Sequence, residues 1–208
     1  MEDKKAQIIH SAIQLFQAKG YGGTSVRDIA TKAEMNVSLI SYYFNNKDGL
    51  LRNIFLLYFE KYFQTIEETV FKHSDKEDSE FIYEYIHAIL SFHAKEHVLS
   101  RFVLREMATD TQLVRELTAT YLMKERQYFI SLFHKIPVQD TPAIPDRFLL
   151  LQFKSMLIMP FLQAQYAREV WQLFPNEPYF VDRHTQVIMQ WVTKTWVLPP
   201  KQRLKVAY

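Results

Sequence analysis

Helical periodicity sustained with almost no glycine is the feature that most constrains this chain. From Lys4 to Lys19 the apolar residues fall at Ile8, Ile9, Ala12, Ile13, Leu15 and Phe16, the i, i+3, i+4 spacing of one helix face. Similar patterns return over Asp48–Lys72, Phe81–Lys95, His97–Ala108, Thr111–Lys135, Arg147–Ala167 (interrupted by Pro160) and Tyr179–Trp196. Four glycines in 208 residues leave little material for the tight turns of a sheet sandwich, so the expected fold class is all-α. A hydrophobic content of 48% is ample for a packed core without covalent staples. The chain has no cysteine, which excludes disulfides, thiolate metal sites and cysteine nucleophiles and fits an intracellular setting. Its most apolar window, Phe148 to Gln163, carries Lys154 and Pro160 and falls short of the roughly 20 residues of a spanning helix, so no membrane role is expected.

Local stop and start signals divide the first fifty residues. Gly20 follows the last periodic residue of helix one and suits a left-handed cap, with Tyr21 placed to pack back on the helix. Ser25 caps a second helix over Val26–Ala33, and Asp28 three residues on completes a capping-box pattern. Asn36 caps a third that runs to Phe44. Two short helices joined by a tight turn behind a longer supporting helix outline a helix-turn-helix, although any small three-helix bundle shares that outline. The net charge of +2 supplies no global basic field, so any nucleic-acid contact must be local. The expected division is 1–47 for the helix-turn-helix and 48–208 for a longer-helixed regulatory and dimerisation domain. The charged stretch His73–Glu80, the proline-rich Ile136–Asp146 and the turn Pro175–Pro178 punctuate the latter, and the basic tail Leu198–Tyr208 reads as a solvated end.

The segment "GYGGTSVRDIATKAEMNVSLISYYFNNKDGLL" resembles the DNA-binding signature of the TetR family of bacterial transcriptional regulators. The resemblance implies a regulator rather than an enzyme, needing no cofactor, cytoplasmic and associated with the nucleoid. It also implies a homodimer on double-stranded DNA, with a divergent helical domain that in this family often binds a small-molecule effector. The stretches "LSRFVLREMATDTQLVRELTATYLMKERQ", "QFKSMLIMPFLQAQY" and "NEPYF" resemble, within that family, the DNA-binding regulator of cell division in spore-forming bacilli. That likeness implies an output on division-ring assembly through the tubulin-like protein FtsZ.

At about 100° per residue, Ile40 and Phe44 share the inner face of helix three while Tyr42 points nearly the opposite way. Ser38, Leu39, Ser41 and Tyr42 fall outward, Tyr43 at the edge, and Val37 is ambiguous. The resemblance implies that Val37, Ser38, Leu39, Ser41 and Tyr43 face the major groove and that Lys47 contacts phosphate; Leu39 and Ser41 depart from the Thr and Tyr more usual there. Hydroxyls can bond phosphates or base edges, and Val37 and Leu39 can touch a thymine methyl. Arg27 is the candidate for a bidentate guanine contact, the alternative being a surface ion pair with Asp28 or Glu34. Ser25 and Lys47 are expected to anchor the DNA backbone.

Elsewhere, Arg101, Arg105, Glu106, Arg115 and Glu116 form either a partner surface or ion pairs between neighbouring helices. Leu150, Leu157, Phe161, Val187, Trp191 and Trp196 suit a four-helix dimer interface or simply close the domain. Met107, Met123, Met156 and Met159 can line an effector pocket or fill core. "HAKEH", His93 to His97, matches the spacing of one class of zinc peptidases, but no downstream carboxylate completes a ligand set, so no metal site is expected.

Overall fold

The computed structural model describes residues 2–134 and 146–197; of Glu2, Asp146, Trp196 and Val197 only the backbone is described. The proline-rich break (apart from the backbone of Asp146) and the basic tail expected from the sequence lie outside the described residues. Every regular element among the described residues is a helix: α1 (Glu2–Lys19), α2 (Val26–Lys32), α3 (Val37–Phe44), α4 (Lys47–Lys72), α5 (Asp78–Lys95), α6 (His97–Met107), α7 (Gln112–His134), α8 (Asp146–Leu162), α9 (Ala164–Trp171) and α10 (Pro178–Val192). A π-helical turn, Thr193–Val197, continues α10. None of the described helices is long and apolar enough to cross a membrane. The chain forms two compact units, 1–61 with 98–119, and 62–97 with 120–208, so α4 and α7 each contribute to both. The expected helix-turn-helix segment, 1–47, lies within unit 1.

In unit 1 the capping signals act as read. Gly20 takes φ +76° and its N–H donates to the Phe16 carbonyl at 2.9 Å, while Tyr21 packs on Phe16 at 5.2 Å between ring centroids. Ser25 and Asp28 form a reciprocal capping box, and the Asn36 side chain accepts from the Ser38 N–H. Ile8, Ala12, Phe16, Ile29, Ile40, Leu50 and Phe102 are fully buried and make the core. At Gly49 a Cβ would lie 1.9 Å from the Phe44 carbonyl oxygen, so only glycine lets α4 start so close behind α3.

The C-terminal end of α1 receives α6. Arg105 donates to the carbonyls of Phe16 at 2.7 Å and Gln17 at 3.2 Å, and the Gln17 amide returns a bond to the Val98 carbonyl at 2.7 Å. The Phe16 carbonyl already accepts from the Gly20 N–H, so the guanidinium adds a second donor there and supplies one to the Gln17 carbonyl in the last turn of α1. Phe102 stacks on Phe16 beneath, at 5.5 Å.

Unit 2 is built on aromatics. Phe153 of α8 stands edge-on between Phe129 at 5.3 Å and Phe133 at 4.9 Å. Glu125 is buried and accepts from Tyr62 Oη at 2.7 Å and Lys154 Nζ at 2.5 Å, a paired charge that tolerates burial because both hydrogen-bonding partners are in place. Arg147–Ala167 is not the one interrupted helix expected from the sequence. α8 runs through Pro160, the chain turns at Gln163, and α9 extends to Trp171. Pro160 has no N–H for the Met156 carbonyl four residues earlier. His184 of α10 lies 2.9 Å from that carbonyl and, since a carbonyl only accepts, its Nε2 carries the proton. Burial holds the His184 pKa down, partly offset by this bond.

Replacing His184 with Phe should destabilise the protein by about 1–3 kcal/mol, because the carbonyl loses its donor. In a Pro160→Ala background the same change should cost measurably less, since an alanine N–H at that position would restore the helical bond. Urea denaturation of the four proteins measures the difference, and strictly additive effects would contradict this account.

Candidate nucleic-acid interface

α3 presents a divided surface. Ile40 and Phe44 are buried against unit 1, while Ser38, Ser41 and Tyr42 are exposed, Tyr42 at 75%. Leu39 and Tyr43 are half-buried and Val37 stands at the exposed margin. Tyr42 and Tyr43 meet edge to face at 5.1 Å, which stiffens two amphipathic rings at the end of the helix. Arg27 is exposed on α2, and neither Asp28 nor Glu34 forms an ion pair with it among the described residues. Asp28 is held instead by the Ser25 hydroxyl and backbone N–H at 2.7 and 2.8 Å, which lower its pKa. The Ser25 hydroxyl is thereby engaged within its own cap.

Lys47 is more deeply involved in the fold than a surface anchor would be. Its ammonium donates to the carbonyls of Tyr21 and Thr24, each at 3.0 Å, and sits 4.4 Å from the centre of the Tyr21 ring. The Tyr21 hydroxyl in turn donates to Asp48, and burial, followed by that carboxylate, raises its pKa. One ammonium proton of Lys47 is left for an outside acceptor. This clamp ties the α1–α2 loop to the start of α4; the pairing was not readable from sequence because the partners are backbone carbonyls.

Several expected surface residues turn inward. Glu106 is buried, while Arg105 donates to carbonyls of α1 and keeps a half-exposed side chain. Arg101, Arg115 and Glu116 are exposed, with Arg115 paired to Asp110 at 3.1 Å and Glu116 accepting from Gln112 at 3.0 Å. Leu157 and Phe161 are buried within unit 2, Phe161 against His93 and Phe180, so they have no side chain to offer a second subunit. Leu150 and Trp191 are half-buried and Val187 is exposed, while the Trp196 side chain lies outside the described residues. The apolar surface actually presented by α8 to α10 includes Leu151, Met159, Tyr166, Val170, Trp171 and Tyr179. The i, i+4 pairs Tyr166/Val170 and Ala167/Trp171 carried that signal in the sequence. Met156 and Met159 line an apolar groove of about 460 Å³ with Trp171, Leu173, Phe180 and His184. Met123 is exposed and Met107 lies in unit 1.

The peptidase spacing does not survive folding. α5 ends at Lys95, Glu96 is its cap, and His97 opens α6 exposed to solvent, so the two imidazoles do not share one helix face. His93 is buried among Tyr62, Phe92 and Phe161, and that burial, with Lys154 nearby, lowers its pKa to about 3. No group of three metal-ligating side chains occurs among the described residues.

A capped helix-turn-helix with a polar and aromatic outer face on its second helix is the arrangement used by DNA-binding transcriptional regulators. Residues 8–54 match the model of the bacterial regulatory proteins of the tetR family. The chain is 40% identical over 189 residues to the "Probable HTH-type transcriptional regulator YttP" of Bacillus subtilis (strain 168), covering 90% of this chain and 91% of that one. It belongs to the TetR family. The fold matches that of a tetR-family regulatory protein from Rhodococcus RHA1 with a TM-score of 0.70 at 17% identity, covering 90% of this chain and 95% of that one. PfmR, a TetR family regulator from Thermus thermophilus, matches with a TM-score of 0.66 at 16% identity, covering 88% and 97%. These relatives are regulators, not enzymes.

Lys47→Met should lower the unfolding free energy by about 1–3 kcal/mol, because two carbonyls lose a charged donor. Arg27→Ala, at an exposed position without such partners, should stay within about 0.5 kcal/mol of the parent. Equal stabilities for the two variants in urea titrations would remove the clamp.

Proposed function

We propose that the protein works as a homodimer on a palindromic DNA site, with α3 in the major groove and Arg27 of α2 reading a base pair in each half-site. The carrying observation is the interleaving on α3, where Ile40 and Phe44 fix the helix and Val37, Ser38, Leu39, Ser41, Tyr42 and Tyr43 remain on its outer or marginal face. Hydroxyls and small apolar groups give α3 positioning and methyl contacts rather than strong base discrimination, which concentrates hydrogen-bonded specificity in the Arg27 guanidinium. The third ammonium proton of Lys47 and the positive end of α2 beside Ser25 serve phosphate. The apolar surface of α8 to α10 supports the dimer, and the work of such a protein lies in the cytoplasm at the nucleoid.

The output we assign is control of division-ring assembly. Its support is the likeness of the second half to RefZ, the division regulator of spore-forming bacilli, together with the exposure of Arg101, Arg115 and Glu116 for contact with FtsZ. A second reading, an effector-responsive repressor, is favoured by the groove at Met156 and Met159, whose size and apolar walls suit a small molecule.

Mobility-shift titrations test the DNA reading. Arg27→Ala should cost roughly 1–3 kcal/mol on the specific duplex and far less on a scrambled one, and equal losses on both would take Arg27 out of base recognition. Arg101→Glu or Arg115→Glu should abolish FtsZ binding while sparing DNA affinity. Joint loss of both activities would instead mark these arginines as structural.

A further inference from the structure

The two lysines that open α1 differ in setting. Lys4 is exposed, whereas Lys5 is half-buried and its ammonium lies 5.9 Å from the centre of the Phe44 ring. Phe44 is the last residue of α3. Two positions further along α1, the Gln7 amide donates to the carbonyl of Ala33, the C-cap residue of α2, at 2.9 Å. The first turns of α1 are thus fixed against the ends of both helices of the helix-turn-helix. Among the described residues the Lys5 ammonium has no carboxylate partner. Asp3, two positions earlier, points to a different side of the helix.

Charge accounting around α3 gives this cation a task. Lys47 has two of its three ammonium protons on backbone carbonyls, and Asp28 and Asp48, bonded to Ser25 and Tyr21, add negative charge to the same unit. A DNA duplex nevertheless needs cations against its phosphates on either side of an inserted helix. Lysine is a hydrated point charge on a flexible stem, suited to phosphate rather than to base edges. A cation–π contact at a partly exposed site is weak, about 0.5–1 kcal/mol, and leaves the N–H donors available.

We propose that Lys5 is a DNA phosphate ligand held beside the recognition helix by the Phe44 ring, which makes the first turn of α1 part of the DNA interface. The assignment rests on the DNA reading above and extends it to a helix outside the helix-turn-helix. Lys5→Met keeps an apolar stem over Phe44 while removing the charge, and Lys5→Arg keeps the charge. Full-length wild type, both variants and Lys72→Met as a unit 2 control would be titrated across a salt series. The two probes are a duplex that the wild type selects from a random-sequence library and its scrambled counterpart.

Lys5→Met should weaken both duplexes by the same factor and flatten the slope of log affinity against log salt by about 0.9 per protomer. Lys5→Arg should keep the slope, and Lys72→Met should match wild type. An unchanged slope in Lys5→Met, or an equal flattening in Lys72→Met, would overturn the proposal; a lowered thermal midpoint with an unchanged slope would assign Lys5 a purely structural role. If wild type binds both duplexes alike, sequence-specific recognition fails while the slope still decides the role of Lys5.

Discussion

The placement of α3 depends on one ammonium group. Lys47 draws the Tyr21 and Thr24 carbonyls onto a residue that opens α4, and so closes a short circuit of chain: α1 ends, turns, forms α2 and α3, and returns to within a hydrogen bond of where it turned. Gly49 permits that return, because any side chain there would collide with the Phe44 carbonyl. A helix as short as α3, eight residues, has little stability of its own. Its orientation comes from caps at one end, Phe44 and Ile40 beneath, and this clamp behind. The rigid frame then decides which side chains of α3 stay outside.

The same logic operates at the far end of α1. Arg105 donates to the Phe16 and Gln17 carbonyls in the last turn of α1, and its neighbour Glu106 is buried beside it. A run of alternating charges that reads as a surface is therefore partly an internal joint. Arg101, Arg115 and Glu116 are exposed, and Arg105 is half-exposed.

Elements governed by neighbours in sequence were legible, and those governed by neighbours in space were not. Gly20, the Ser25–Asp28 box and Asn36 act within four residues of themselves, so the borders of α1 to α3 followed from the chain alone. The inner and outer faces of α3 followed from its period. The roles of Arg105 and Lys47 depend on carbonyls distant in sequence, which no local pattern specifies. On α8 the rotation of the helix decides whether Leu157 or Leu151 is outside, and both are leucines in an almost wholly apolar run. The proline that suggested an interruption is carried inside α8, while the real end at Gln163 has no strong breaker, and α9 buries none of its residues.

Pro160 also imposes a registration on unit 2. An α-helix normally consumes its own carbonyls and so offers its neighbour only side-chain ridges, along which small slips are tolerated. Here α8 frees a backbone acceptor in its middle, at Met156, and His184 of α10 meets it. A shift of one residue along α10 would rotate that imidazole by about 100° and lose the bond. The missing N–H acts as an index mark that sets how the two helices align, and with them the walls of the groove they share.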